Sequence, residues 1–307
     1  MDKIRDLFSK VLLFEKEAVE IFGSQPKSLN DRFISYSDSV AIITSTIEEF
    51  NSIREKLINV KEIEVGDKDS IIYYKGEIKN KKNNINIVLP FPLSMGIEST
   101  VLVTTKVLNY FNPKYIFMVG ICAGNKNLTK IGDIIIAEKS LNYNEIVEIK
   151  KEGKESIKKF MQTAEAINKN LKARINLLSK TKHISEIREQ YSTLKNIPED
   201  LTCHIGLLVT GSSLVRSGEK IKEINEAYHN VKGLDMETYG FYYASNNTYK
   251  HQQPYFVSIK AVSDYGDDTK HKMSAKERKE YALYTSSSAL IYFIRNLIWQ
   301  DKRVPIE

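Results

Sequence analysis

This sequence is poor in the residues that build covalent or metal-bound scaffolds. Of 307 residues only two are cysteines, Cys122 and Cys203. They lie far apart in apolar surroundings, which excludes a disulfide framework and reads as buried free thiols in a reducing compartment. The five histidines show no metal-ligand spacing, so no metal is expected. No apolar run approaches the roughly 18 residues of a membrane span. The opening Met1-Asp2-Lys3-Ile4-Arg5 leads into no uninterrupted apolar stretch of the signal type, and a cytoplasmic location is expected. Gly120 and Gly124 give a tight strand-end turn, but the G-x-G-x-x-G spacing of a dinucleotide site is absent. There is no helix-turn-helix, zinc-finger or RNA-binding signature, and the basic residues are interspersed with acids. A nucleic-acid partner is therefore not expected.

What is present is the balance of a globular chain: 42% hydrophobic and 27% charged residues, in a length that suits one large α/β domain. The net charge is +6. It has two readings, a lysine-rich solvated surface or an attraction toward an anionic small molecule such as a nucleotide.

Residues 1–34 carry one helical stripe, Ile4, Leu7, Phe8, Val11, Phe14, Ala18 and Ile21, and are expected to form a helical extension for packing or subunit contact. Gly23-Ser24-Gln25-Pro26 separates it from a single domain over 35–307. Strands are expected at Val40–Thr44, Ile71–Tyr74, Ile85–Leu89, Tyr115–Ile121, Ile134–Ala137, Ile205–Val209, Val231–Leu234 and Phe256–Val262. Helices are expected through Phe50, Ile53 and Leu57, over Ile97–Phe111 before Pro113, and over Ser217–Tyr228, Thr238–Asn246 and Ser274–Trp299. Residues 150–198 are polar and lysine-rich with apolar residues at helical spacing, which predicts a long and a short amphipathic helix as an excursion over the domain. The alternation of strands and helices predicts a mostly parallel sheet covered on both faces.

The chemistry-bearing residues follow apolar runs. Val257–Val262 ends on Ser263-Asp264, and Gly266-Asp267 follows. A carboxyl at the end of a buried strand stands at the carboxyl edge of the sheet, where α/β proteins place chemistry, and suits a general acid. Ile47-Glu48-Glu49 and Leu234-Asp235-Met236-Glu237 repeat the arrangement.

Four segments together resemble the nucleoside phosphorylase/nucleosidase superfamily. They are Ile42–Phe50; Met118–Gly124 with Ile131–Ile134; Gly233–Gly240; and Ala261–Asp264. The branch they most resemble is the methylthioadenosine/S-adenosylhomocysteine nucleosidases, together with relatives that include nucleosidases of bacterial antiviral defence. The resemblance implies an α/β fold, a three-layer αβα sandwich with a large twisted mixed sheet, which assembles as dimers or hexamers. It implies no organic cofactor. Asp264 then protonates or hydrogen-bonds the purine, with Ser263 orienting it. Glu237 binds the ribose hydroxyls, Met236 packs on the sugar, and Glu49 activates water. The loop Ser94, Met95 and Gly96 and the strand end Cys122, Ala123 and Gly124 border the substrate. The base pocket is expected at Thr210–Val215, where Leu214 replaces a stacking aromatic and Val215 offers backbone contacts. Lys260 stands where the nucleosidases often have Arg. With Arg216 it is expected either to meet a 5′-phosphate or to serve as an ordinary surface or ion-pair residue.

Phosphorolytic relatives cradle phosphate with glycine and arginines, and Ile42–Phe50 contains neither. The reading is hydrolysis of a purine N-glycosidic bond, adenine favoured. The substrate is a thionucleoside of the methylthioadenosine type or a nucleotide such as AMP or ATP. A phosphorylase and a catalytically silent nucleotide-binding protein are the alternatives.

Overall fold

The structure, a computed structural model, describes residues 37–65, 69–80, 83–149, 157–160, 164–167, 171–191, 197–211, 218–248, 253–266 and 273–298. The expected helix over 1–34 and the base-loop residues Leu214, Val215 and Arg216 lie outside the described residues. From Asp38 onward the chain forms one unit.

The core strands are those with unbroken apolar runs. In β1 (Ser37–Ile43), residues Val40 to Ile43 are buried, as a strand covered on both faces requires. β5 (Pro113–Gly124) is the longest strand. β12 (Tyr255–Asp264) runs parallel to it, Val257 opposite Phe117 and Val262 opposite Cys122. On its other side β12 is antiparallel to β6 (Ile134–Asn142). β6 in turn is parallel to β10 (Cys203–Thr210), and β10 to β11 (Val231–Asp235). β11 returns to the end of β5, pairing Gly233 with Gly124 and Leu234 with Ala123. Five strands thus close into a ring. β1 joins the ring at β5, and β4 (Ile85–Pro90), β3 (Tyr73–Ile78) and β2 (Ile58–Ile63) extend it outward. The sheet is mixed, not mostly parallel: the β5–β11, β6–β12, β2–β3 and β3–β4 pairings are antiparallel, as is that of β6 with β9 (Ala164–Ala166). The alternation of strands and helices pointed to parallel neighbours, but these pairings join strands whose directions it does not set.

Helices cover both faces. α1 (Ile47–Arg54) opens on a capping box between Thr46 and Glu49. α2 (Ile97–Phe111) starts at Gly96 and stops where Asn112 turns left-handed before Pro113. α2 packs on α6 (Thr238–Asn247), and α6 lies on β6, β10 and β12. α7 (Ala275–Tyr292) packs on the other face, against β5 and β12, and continues as a π-helical turn, Phe293–Ile298.

The long helix expected in 150–198 is not found in its described part. β7 (Ile146–Ile149) and β8 (Ile157–Phe160) form an antiparallel pair, and β9 (Ala164–Ala166) adds to the edge of β6. Apolar residues three and four apart suit a helix, but Lys139 to Leu141 offer an open strand edge whose backbone groups need partners, and β9 takes it. The helical reading holds further on, in α3 (Lys172–Leu178) and α4 (Thr181–Glu189). Leu171, Ile175 and Leu178 make one buried stripe there. The helix expected from Ser217 is α5 (Gly218–Ala227). β2 was not legible from its sequence: it is a largely exposed outer strand with weak alternation.

Candidate active site

The ends of β5, β11 and β12 and the start of α1 meet at one end of the ring. They enclose a cavity of about 180 Å³ lined by Glu49, Met95, Cys122, Ala123, Met236, Glu237, Ser263 and Asp264, among others. Of the expected residues, Ser94, Gly96 and Gly124 do not line it. Ser94 is exposed, its N–H donating to the Ser99 hydroxyl at 3.2 Å. Gly124 is held in the β5–β11 pairing.

Asp264 is aimed by an irregularity in its strand. Val262 pairs with Cys122 and Asp264 with Ala123, so Ser263 is the extra residue of a bulge, and bulges re-aim the side chains that follow them. The Ser263 hydroxyl lies 2.8 Å from Asp264 Oδ2 and 3.2 Å from the Cys122 carbonyl oxygen, and donates its one proton to either. The Gly266 N–H donates to Oδ1 at 2.8 Å, an Asx-type turn that fixes the other carboxyl oxygen.

Glu49 is turned inward from the first turn of α1 and is buried. Its Oε2 accepts from the N–H groups of Ser45 (2.9 Å) and Thr46 (3.1 Å), and Oε1 accepts from Ile121 N–H at 2.9 Å. A carboxylate has about four acceptor positions. Three are taken by backbone, so one on Oε1 is left for a ligand or water.

Glu237 precedes α6 and faces the cavity. Its Oε1 accepts from Gly96 N–H at 3.3 Å, and Lys260 Nζ stands 3.2 Å from Oε2. Burial drives its carboxyl up to about 7. The Lys260 charge pulls it back, while Asp235 and Glu49 add to the rise. The capping of α6 falls to Asp235, which accepts from Thr238 N–H and from the Thr238 and Thr210 hydroxyls.

Lys260 is fully enclosed and does not line the cavity. On β12 it is in phase with Phe256 and Ser258, which pack on α6, so the two-residue period points it at the start of that helix. There its ammonium meets Glu237 at 3.2 Å and Asp235 at 3.5 Å. Burial alone would lower the Lys260 pKa; the charges of Glu237, Glu49 and Asp235 outweigh it and hold it above the ordinary lysine value. Of its two expected roles the structure gives the ion pair. Cys122 is a neutral wall: burial, then the Asp235 charge, pushes its thiol well up.

Several lining residues were not anticipated: Ser45, Thr46, Tyr143, Ile221, Asp235 and Lys279. Tyr143 is the aromatic of the cavity. It directly follows β6 and packs so tightly over Gly211 that a Cβ there would lie 2.1 Å from the ring. Its signal was an aromatic just beyond a strand end on the same sheet edge.

A model of the phosphorylase superfamily matches residues 39–298. The 5′-methylthioadenosine/S-adenosylhomocysteine nucleosidase of Buchnera aphidicola subsp. Schizaphis graminum is 29% identical over 231 residues, covering 75% of this chain and 85% of that protein. Protein y4jS of Sinorhizobium fredii is 24% identical over 245 residues, 75% of this chain; the match spans only 54% of that relative's length. Among solved structures, the Neisseria meningitidis 5′-methylthioadenosine/S-adenosylhomocysteine nucleosidase in complex with methylthio-immucillin-A superposes with a TM-score of 0.64 at 23% identity, covering 85% of this chain and 100% of that one. With the model matching most of its length, this chain belongs to the phosphorylase superfamily.

Proposed function

We propose that the protein is an N-ribosyl hydrolase that releases adenine from a nucleoside of the methylthioadenosine/S-adenosylhomocysteine type. The observation that carries this reading is the position of Glu49. Its carboxylate occupies the backbone N–H groups of Ser45 and Thr46 at the β1–α1 turn, beside the strand end that holds Cys122 and Ala123. A helix start of this kind is a natural anion site. Here the chain's own carboxylate fills it, which leaves a base for water in place of a cradle for phosphate.

In the reaction, the C1′–N9 bond breaks and its electron pair leaves with the purine. Asp264 hands a proton to, or hydrogen-bonds, N7 of the departing base. Glu237 accepts the ribose hydroxyls and favours the positive charge that builds on the sugar. Water attacks C1′ and gives its proton to Glu49. Ser263 orients Asp264, and Met236 and Met95 pack on the sugar side.

Nucleotides such as AMP and ATP are a weaker reading, because the burial of Lys260 removes one of the two cations assigned to a phosphate. The exposed apolar side chains Leu93, Met95, Leu102 and Tyr243, on or before α2 and α6, support assembly of copies into a homo-oligomer. The test is chromatography of adenine released from methylthioadenosine, S-adenosylhomocysteine and AMP in phosphate-free buffer. Adenine from the thionucleosides is the expected result. Release only on adding phosphate would make the protein a phosphorylase, and binding without release would make it a silent nucleotide-binding protein.

A further inference from the structure

The cavity is lined by one lysine that the hydrolysis does not use, and that lysine is paired with a glutamate outside the lining. Lys279, near the start of α7, lines the cavity together with Thr46 and Glu49. Its ammonium lies 2.7 Å from Glu48 Oε1, with the two side chains 39% and 55% exposed. Glu48 and Glu49 are sequence neighbours with opposite placements. Glu49 turns inward onto backbone amides, and Glu48 turns out to Lys279, whose hydrogen bond holds the Glu48 carboxyl below its ordinary value. A partly exposed pair contributes little to the fold, so its partners exchange readily for those of a ligand.

The rest of the cavity fixes which part of a substrate reaches this pair. With the base at Asp264 and the ribose hydroxyls at Glu237, as the hydrolase reading has them, Thr46 and Lys279 are among the lining residues left to face the 5′ substituent. A neutral methylthio group leaves the pair closed. A phosphate would gain Lys279 but face Glu48, in a cavity already lined by Glu49, Asp235, Glu237 and Asp264; like charges in one site repel. A zwitterion takes both charges at once.

We propose that Lys279 and Glu48 form the subsite for an α-amino-acid group on the 5′ substituent, Lys279 binding its carboxylate and Glu48 its ammonium. This rests on the hydrolase reading above and narrows its substrate class to 5′-thioether nucleosides that carry such a tail.

The experiment measures kcat/KM for S-adenosylhomocysteine and for methylthioadenosine in the full chain, in Lys279→Met, in Glu48→Gln and in the exchanged pair Glu48→Lys/Lys279→Glu, with AMP as the anionic probe. The ratio of the two thionucleosides is taken within each variant, so any loss of folded protein cancels. Each single substitution is expected to lower the ratio about fivefold, and the exchanged pair to recover part of it. Glu48→Gln is expected to raise cleavage of AMP relative to methylthioadenosine. Ratios within about twofold of the parent in both single variants would overturn the subsite. So would a Lys279→Met variant that loses AMP cleavage while keeping the thionucleoside ratio, which would make Lys279 a phosphate contact. No adenine from either thionucleoside with the unsubstituted chain would overturn the hydrolase reading, and this one with it.

Discussion

Gly120 and Glu49 share one space: a Cβ built on Gly120 would lie 2.0 Å from Glu49 Oε1. The glycine in the middle of β5 is therefore the condition for a carboxylate to lie against the strand and accept from Ile121 N–H. Gly120→Ala is expected to displace Glu49 while the fold adapts, because the atom in the way is the end of a flexible side chain. A displacement of about an ångström at a reacting group costs on the order of 100-fold in rate. The expected outcome is a kcat loss of that size with a melting temperature close to the parent's, and a comparable loss in Glu49→Gln. Full activity in Gly120→Ala would remove Glu49 from the water-activating role.

Glu237 sets the pH dependence. Burial pushes its carboxyl up to about 7 from an ordinary 4.5, and it binds ribose as the anion. In the free enzyme kcat/KM is expected to fall on an acidic limb with its midpoint near 7. Glu237→Gln should abolish the limb. Lys260→Met removes the cation that holds the value down, so the limb should move to higher pH. The stability consequence has the opposite sign. The folded chain holds the Glu237 proton more tightly than the unfolded chain. The stability linked to that proton is fully present below about 4.5 and lost as pH rises through about 7. Urea midpoints of the parent and Glu237→Gln across this range check it.

Asp235 is a structural carboxylate. It joins Thr210, Thr238 and the enclosed Lys260, and replacing it with Leu leaves Lys260 with Glu237 alone and takes the acceptor from the buried Thr210 and Thr238 donors. A loss of about 3–5 kcal/mol is expected for Asp235→Leu. About 1–3 kcal/mol is expected for Asp235→Asn, which keeps hydrogen-bonding groups. Urea denaturation measures both, and equal effects would contradict the hydrogen-bonding part of the account, because both variants remove the charge.

Tyr143 is the aromatic wall of the cavity. If it carries the base contact expected of an aromatic, Tyr143→Leu should raise KM about 2–10-fold with a smaller change in kcat. An unchanged KM would assign Tyr143 to packing on Leu141, Val209 and Leu234 alone.

The contrast between Lys260 and Lys279 marks how far the sequence was legible. Unbroken apolar runs located β1, β5 and β12, and Gly96 and Pro113 bounded α2 at the residues where it begins and ends. The three acidic motifs lay after such runs because strand ends converge on one sheet edge, and the fold brings Glu49, Glu237 and Asp264 around one cavity. What a lysine meets across the sheet was not legible. The sequence left Lys260 open between a phosphate contact and a surface or ion-pair residue, and it is fully enclosed beside two carboxylates. Lys279 stood within a run of charged residues in a helix and reaches the cavity. Spacing also failed in 150–198, where the pairing needs of the β6 edge outweighed an apolar pattern that suited a helix.

The central claim is that water, not phosphate, takes the sugar. The most direct test is the mass of the sugar product when the purified protein cleaves methylthioadenosine in an excess of phosphate. Free methylthioribose is the predicted product, formed at the same rate with and without phosphate. Methylthioribose 1-phosphate would contradict the account, because the anion site that Glu49 fills would then have to open to an external phosphate.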